Sequence, residues 1–310
     1  MNRIKALGLL LALFLVVTAC GDGSNNESTN DSDLPEVDLS GTDYLVTIKT
    51  DLGEMKAILY DQTPRHKENF IKLAKEGFYD SLIFHRVIQG FMIQGGDPES
   101  KNAAPGQGLG SGGPGYTVPA EIRDELYHKK GALSAARKGD GINPERASSG
   151  SQFYVVQGEV LNDASIAQFS GPNFAAIGGA LQYLRNNKPD HDLNKTYEEA
   201  YNQGGDQAYE AKVMETLDQL EEATGISLNK PEMSEAKKEA YQTVGGTPFL
   251  DGDYTVFGQV ISGLEVIDAI AGVQTAPGDR PVEDVRMYIS VEEMPKKEIA
   301  EKYSYDYRIQ

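Results

Sequence analysis

The feature that most constrains this chain is an interruption. From Tyr44 onward the sequence reads as strands, and it does so again over Thr255 to Val260 and Val285 to Val291. Between about residues 160 and 245, however, apolar side chains recur at helical spacing. Phe174, Ile177, Leu181 and Leu184 make one such series, and Tyr209, Val213, Leu217 and Leu220 another, with Gly225 placed to end a helix. The chain is therefore read as a mainly β architecture broken by an inserted set of amphipathic helices.

The first flank can be followed element by element. YLVTIKT (44–50) and EMKAILY (54–60) alternate in character and are joined by Asp51, Leu52 and Gly53, which predicts a β-hairpin. Thr63 can cap, and Pro64 begin, a helix with Phe70, Leu73 and Ala74 at helical spacing and Gly77 as its stop. Short strand candidates follow at 82–88 and 91–93, then a glycine-dense loop over 106–115. In the second flank a short helix carries Leu264, Ile267 and Ile270 on one face. The charged stretch 294–310 predicts a loose tail. There is no internal repeat.

Residues 1–19 place Arg3 and Lys5 ahead of an apolar run from Ala6 to Val17 and end in small residues, the layout of a secretory signal peptide. That run is too short to span a bilayer. Cys20 is the only cysteine, so no intrachain disulfide can form. It follows VTA (17–19) in a pattern that resembles the lipobox of bacterial lipoproteins. The resemblance implies cleavage before Cys20, a diacylglyceryl group on its sulfur, and an extracytoplasmic, lipid-anchored place on a bacterial membrane. Residues 20–43, rich in Gly, Asn, Ser, Asp and Glu, predict a disordered tether. A net charge of −18 argues against nucleic acid as a partner.

FHRVI (84–88) followed by FMIQGGD (91–97) closely resembles the signature of the cyclophilin family. The resemblance continues in order through GSGGPGY (110–116), GALSAA (131–136), GSQFY (150–154) and VFGQV (256–260). It implies a cyclophilin-like eight-stranded closed β-barrel capped by two helices, over residues 44–293 and interrupted at about 160–245. The implied activity is peptidyl-prolyl cis/trans isomerisation of proline-containing polypeptides, without cofactor or metal.

Such an enzyme works against a torsional barrier of about 18 to 20 kcal/mol, which makes prolyl bonds flip in tens to hundreds of seconds. Acceleration to milliseconds requires roughly 10⁵-fold catalysis, or about 7 kcal/mol of selective transition-state stabilisation. In the twisted state the proline nitrogen regains its lone pair, so a fixed cation or N–H donor near it favours that state. The resemblance assigns this role to Arg86, whose planar guanidinium suits both a carbonyl and an incipient lone pair. It makes Gln94 a group that holds substrate backbone or orients Arg86. It assigns the proline pocket to Phe91, Met92, Tyr154 and Leu250, with further substrate-binding positions at Ala136, Arg137, Gln152, Phe249 and Tyr254. Phe249 stands where many members carry Trp, Tyr254 where many carry His, and Arg137 where many carry Asn, which leaves binding of macrocyclic inhibitors open.

Other chemistries fit less well. His85 neighbours Arg86, but strand alternation sends the two side chains to opposite faces, and His85 is expected to be buried and hydrogen-bonded. His66, His128 and His191 are scattered without cysteine ligands, and Asp251, Gly252 and Asp253 fall short of a calcium loop. The glycines of 106–115 lack the Lys-Ser/Thr of a phosphate loop. No nucleophile-base pair supports a hydrolase. The alternative is a catalytically weak binding module whose helical insertion holds clients. Because the insertion joins the barrel between Tyr154 and Phe249, it is expected near the groove entrance. Its removal is expected to spare turnover of short peptides while altering rates on refolding proteins.

Overall fold

The structure, a computed structural model, describes residues 38–230 and 232–309. The expected signal peptide, Cys20 and the expected tether as far as residue 37 lie outside the described residues.

The alternation over 44–60 becomes two antiparallel strands, β1 (Thr42–Thr50) and β2 (Gly53–Leu59), with Leu45 opposite Ile58 and Thr50 opposite Gly53. The period of two sends Val46 and Ile48 from one strand, and Met55, Ala57 and Leu59 from the other, into one apolar core. Helix α1 (Pro64–Lys75) begins with its proline, as expected, and Gly77 follows its last turn with φ of 66°. Its cap comes from elsewhere. The Thr63 hydroxyl donates back to the Tyr60 carbonyl at 3.3 Å, while the Glu121 carboxylate accepts from the backbone N–H groups of Arg65 and His66 at 3.2 and 3.0 Å. An anion thus sits where the orphan donors and the helix dipole favour one.

The flank continues with β3 (Leu82–Ile83), β4 (Arg86–Ile88), β5 (Met92–Gly95), β6 (Thr117–Val118), β7 (Ala132–Arg137) and β8 (Ser148–Val156). The interruption then comprises α2 (Asp163–Ala167), β9 (Gly171–Pro172), α3 (Phe174–Asn187), α4 (Asp192–Glu215), α5 (Leu217–Thr224), β10 (Asn229–Lys230) and α6 (Glu235–Thr243). The second flank supplies β11 (Val256–Ser262), α7 (Leu264–Ala271), β12 (Arg286–Pro295) and α8 (Lys296–Tyr303).

The main sheet runs β3-β12-β1-β2-β11-β7-β8-β5-β4, with β6 added on β8, and all its pairings are antiparallel. Its two end strands, β3 and β4, are separated in the chain only by Phe84 and His85. The sheet is therefore curled so far that the polypeptide itself crosses the seam. α1 and α7 pack on the curled sheet and add Phe70, Leu73, Val266, Ile267 and Ile270 to its core.

The interruption has two layers. An outer set, α3 to α5, has an apolar centre of its own that includes Ile177, Leu181, Leu184, Leu193, Tyr197, Val213 and Leu220. It hangs from a two-stranded stem in which Pro172 faces Asn229 and Gly171 faces Lys230. Phe174, which the periodicity places on the apolar face, is 74% exposed because it lies in the first turn, beyond that centre. Non-helical Gly204 and Gly205, the latter at φ 65°, break α4. Gly225 ends α5 at φ 68° as expected.

The inner layer, α2 and α6, packs Ile166, Met233 and Tyr241 with Tyr127 and Leu161 against the barrel. Entry and exit meet at Gly158 and Gly246, where a Cβ on Gly158 would lie 2.4 Å from the Gly246 Cα. Only glycine permits that crossing.

The C-terminal stretch, expected to be loose, is instead folded. α8 buries Ile299, and Tyr305 and Tyr307 follow, buried and edge to face at 4.9 Å. Its charge belongs to the solvent-facing side of a helix that binds the barrel through few apolar residues.

Candidate active site

The seam places the first candidate. Arg86 opens β4 directly opposite Gln94 of β5, and β5 in turn lies on β8 with Gln94 opposite Tyr154. On one side of this ribbon a cavity of about 820 Å³ gathers Arg86, Gln94, Phe91, Met92 and Tyr154. Leu250 and Tyr254, on the turn before β11, and Ala136 and Arg137, at the end of β7, complete that part of its wall. Met92, Tyr154 and Leu250 belong to a second apolar cluster with Tyr60, Leu126 and Val256, so the pocket floor is continuous with a packed interior. A floor held in this way presents a fixed shape to a proline ring.

A register irregularity positions Ala136. The β7–β8 ladder pairs Ala135 with Phe153 and then Arg137 with Ser148, leaving Ala136 between them unpaired, and β11 shifts register opposite at Val256 to Gly258. Such bulges turn side chains and free backbone groups towards a site. Arg137 is held by its side chain. Its Nε donates to the Asp253 carbonyl at 2.8 Å, its guanidinium pairs with Asp140, and it lies 4.5 Å over the Tyr254 ring.

The two glutamines are coupled to each other. Gln94 Nε2 donates to Gln152 Oε1 at 3.1 Å, and Gln152 Nε2 donates to the Gly112 carbonyl at 2.7 Å. Gln94 therefore reaches the glycine loop rather than Arg86. That loop is fixed by Asp97, fully buried, whose Oδ2 accepts from the backbone N–H of Gly110 and Gly112 at 2.6 and 3.2 Å. Phe249 packs on Phe91 at 5.4 Å and is 55% exposed, so it forms the rim and not the lining. Phe91, Met92, Tyr154 and Leu250, the residues expected in the proline pocket, all line the cavity, as do Ala136, Arg137 and Tyr254, whereas Gln152, expected among the further substrate-binding positions, does not.

Arg86 is partly exposed, and its Nε lies 3.5 Å from Oδ2 of Asp279. Asp279 sits on a tight turn at φ 65°, and its carbonyl accepts from the Val87 N–H at 2.8 Å. Sequence reasoning missed it, because nothing in a distant Pro-Gly-Asp turn signals its place beside Arg86. His85 is buried as expected, and burial pushes its pKa down to about 4. The expected hydrogen bonds are not found: among the described residues neither ring nitrogen has a partner. The ring turns towards Gly110, which has no side chain to offer one.

His128 and Asp251, set aside in the sequence as isolated, are joined behind the pocket. His128 Nδ1 is 2.9 Å from Asp251 Oδ1, and Nε2 is 3.0 Å from the Tyr154 hydroxyl. Burial lowers the His128 pKa against the pull of Asp251. Burial raises that of Asp251, but hydrogen bonding from His128 and the charge and hydrogen bond of Lys237 outweigh it and hold the carboxyl below its usual range.

The chain is similar to known proteins. The family model described as cyclophilin type peptidyl-prolyl cis-trans isomerase/CLD matches residues 45–169 and 171–291. A Streptococcus pyogenes protein, whose name joins a phosphatase to a peptidyl-prolyl cis-trans isomerase, is 34% identical over 81% of this chain. The chain spans only 39% of that protein's length. An Arabidopsis thaliana peptidyl-prolyl cis-trans isomerase is 29% identical over 78% of this chain and 91% of its own length. A crystal structure of a Cryptosporidium parvum cyclophilin type isomerase covers 82% of this chain and 99% of its own, at 21% identity and a TM-score of 0.47.

Proposed function

We propose, from the premise that this chain belongs to the cyclophilin-type peptidyl-prolyl cis-trans isomerase family, that the cavity beside Arg86 is where it rotates Xaa-Pro bonds in extended polypeptides. The observation that carries this reading is the meeting of one unburied guanidinium with an apolar pocket of Phe91, Met92, Tyr154 and Leu250 in a single cavity. The pocket takes the proline ring. Arg86 then faces the prolyl amide, where its N–H donors stabilise the nitrogen lone pair that appears only in the twisted state. Gln94 and Gln152, tied to the glycine loop, are suited to hold the carbonyl and N–H of neighbouring substrate residues. No bond is made or broken, so a fixed donor and a fixed ring suffice.

Exchange NMR of an Ala-Pro peptide with the full chain and its Arg86→Ala variant tests this. The parent accelerates exchange, and the variant loses roughly tenfold or more with its fold intact. A folded parent without acceleration would instead mark the barrel as a binding module.

We also infer that the isomerase acts outside the cytoplasm, held at a bacterial membrane through Cys20. The support is the sequence pattern of residues 1–20, and secreted chains meet slow prolyl steps there. Replacing Cys20 with Ser should release the protein from the membrane fraction and abolish labelling by radioactive fatty acid. Retention of both would end the anchor reading.

A further inference from the structure

Lys237 and Tyr241 lie four residues apart on α6 and so share one face of that helix. That face is turned to the barrel, and Tyr241 is fully buried. The Tyr241 hydroxyl donates to Asp251 Oδ2 at 2.8 Å, and Lys237 Nζ lies 2.8 Å from the same oxygen. The other carboxylate oxygen accepts from the His128 backbone N–H at 3.0 Å and faces Nδ1 of the His128 ring. Asp251 therefore receives four donors, two from the barrel and two from the inserted segment.

The protons in this relay can be assigned by what each group is able to give. An ionised carboxylate only accepts, so Nδ1 of His128 carries a hydrogen, and because burial disfavours the charged ring, Nε2 keeps its lone pair. The Tyr154 hydroxyl then donates to Nε2, 3.0 Å away. The two rings lie nearly parallel, 11° apart, with centroids 6.0 Å apart. Tyr154 is one wall of the proline pocket, and Leu250, the residue before Asp251, is another. One wall is tied to Asp251 through a side-chain relay and the other through the backbone.

We propose that Lys237 and Tyr241 are positioning residues for the proline pocket, acting through Asp251 and His128 on Tyr154. The last helix of the inserted segment is then a working part of the active site, even though the signature runs that mark the family lie outside that segment. Its catalytic readout rests on the isomerase reading above. Without Lys237 the half-buried carboxylate lacks its nearest cation, and without the Tyr241 hydroxyl it lacks a neutral donor. In either case Asp251 and His128 rearrange, and the Tyr154 ring loses its fixed place.

The test uses the full chain carrying Lys237→Met, Tyr241→Phe or Lys237→Arg, each alone and together with Tyr154→Phe. Three quantities are read: the Kd of an Ala-Pro peptide, its exchange rate at saturation, and the ¹³C ring signals of Tyr154 in the free protein. Lys237→Met and Tyr241→Phe should each weaken Kd roughly threefold to tenfold, with the saturated rate within about twofold, and should move the Tyr154 signals. Lys237→Arg should restore Kd to within about twofold of the parent. In the Tyr154→Phe background the same substitutions should have a clearly smaller effect, because only the backbone link through Leu250 still reaches the pocket. An unmoved Tyr154 signal, an unchanged Kd, or an equal loss in the Tyr154→Phe background overturns the proposal. Should the parent bind the peptide without accelerating exchange, the isomerase reading fails, while Kd and the ring signals still decide this one.

Discussion

The barrel and the outer helices both have apolar centres, but they are held together differently. The barrel's core joins residues far apart in the chain, from Val46 to Ile289, through ladders that pair Thr42 with Pro295 and Leu133 with Val155. Among the described residues the outer centre draws on residues 176–228, and it closes on a stem of two residue pairs. The difference teaches where cooperativity ends: a perturbation in the barrel is shared by the whole sheet, while one in α3 to α5 stops at the stem.

The largest effects should come from emptying each core. Phe153→Ala removes a ring that touches Phe70, Tyr79 and Phe84, and should cost about 3–5 kcal/mol of global stability in urea. Leu184→Ala, fully buried in the outer set, carries a local cost of about 2–5 kcal/mol. Hydrogen exchange by mass spectrometry should show that loss between residues 173 and 228 alone. Equal loss of protection in β1 and β12 would break the comparison.

Acid should next separate the two. His66, His85 and His128 are all barrel residues whose pKa burial lowers. Each is more easily protonated in the unfolded chain, so the stability it confers is complete above about pH 6.5 and is lost as pH falls. For His85 the loss runs from about 6.5 to about 4, worth on the order of 3 kcal/mol. Urea midpoints between pH 7 and 4.5 should fall for the parent and fall less for His85→Leu. Identical slopes would remove His85 from the account.

The smallest effect sharpens the boundary. Joining Pro172 to Asn229 through two glycines deletes the outer helices at their stem and should leave Ala-Pro peptide exchange within about twofold. Deleting residues 160–245 also takes Lys237 and Tyr241, and should weaken peptide binding roughly threefold to tenfold. That reverses the expectation drawn from the sequence, where the whole interruption looked separable. Equal peptide affinities for the two deletions would return α6 to the insertion.

What was legible depended on locality. The hairpin, the proline that starts α1 and the glycine that ends α5 each rest on a few adjacent residues, and the groove could be assembled from short runs with a known arrangement. Contacts between distant segments were not legible. Glu121 caps a helix fifty-odd residues upstream, Asp279 reaches Arg86 from the far end of the chain, and Lys237 meets Asp251 across a turn that no periodicity describes. His128 and Asp251 each looked idle because a relay has no signature in any one of its members. α8 was hidden by its charge, since Ile299 is the only buried residue of that helix.

The seam of the sheet has a consequence for a member of a family that acts on proline-containing peptides. Its two end strands are two and three residues long and sit on either side of Phe84 and His85. An extended client that needs a row of free backbone groups to grow a strand finds none of useful length there. A proline-containing peptide held against this surface is therefore not templated into a sheet by the seam.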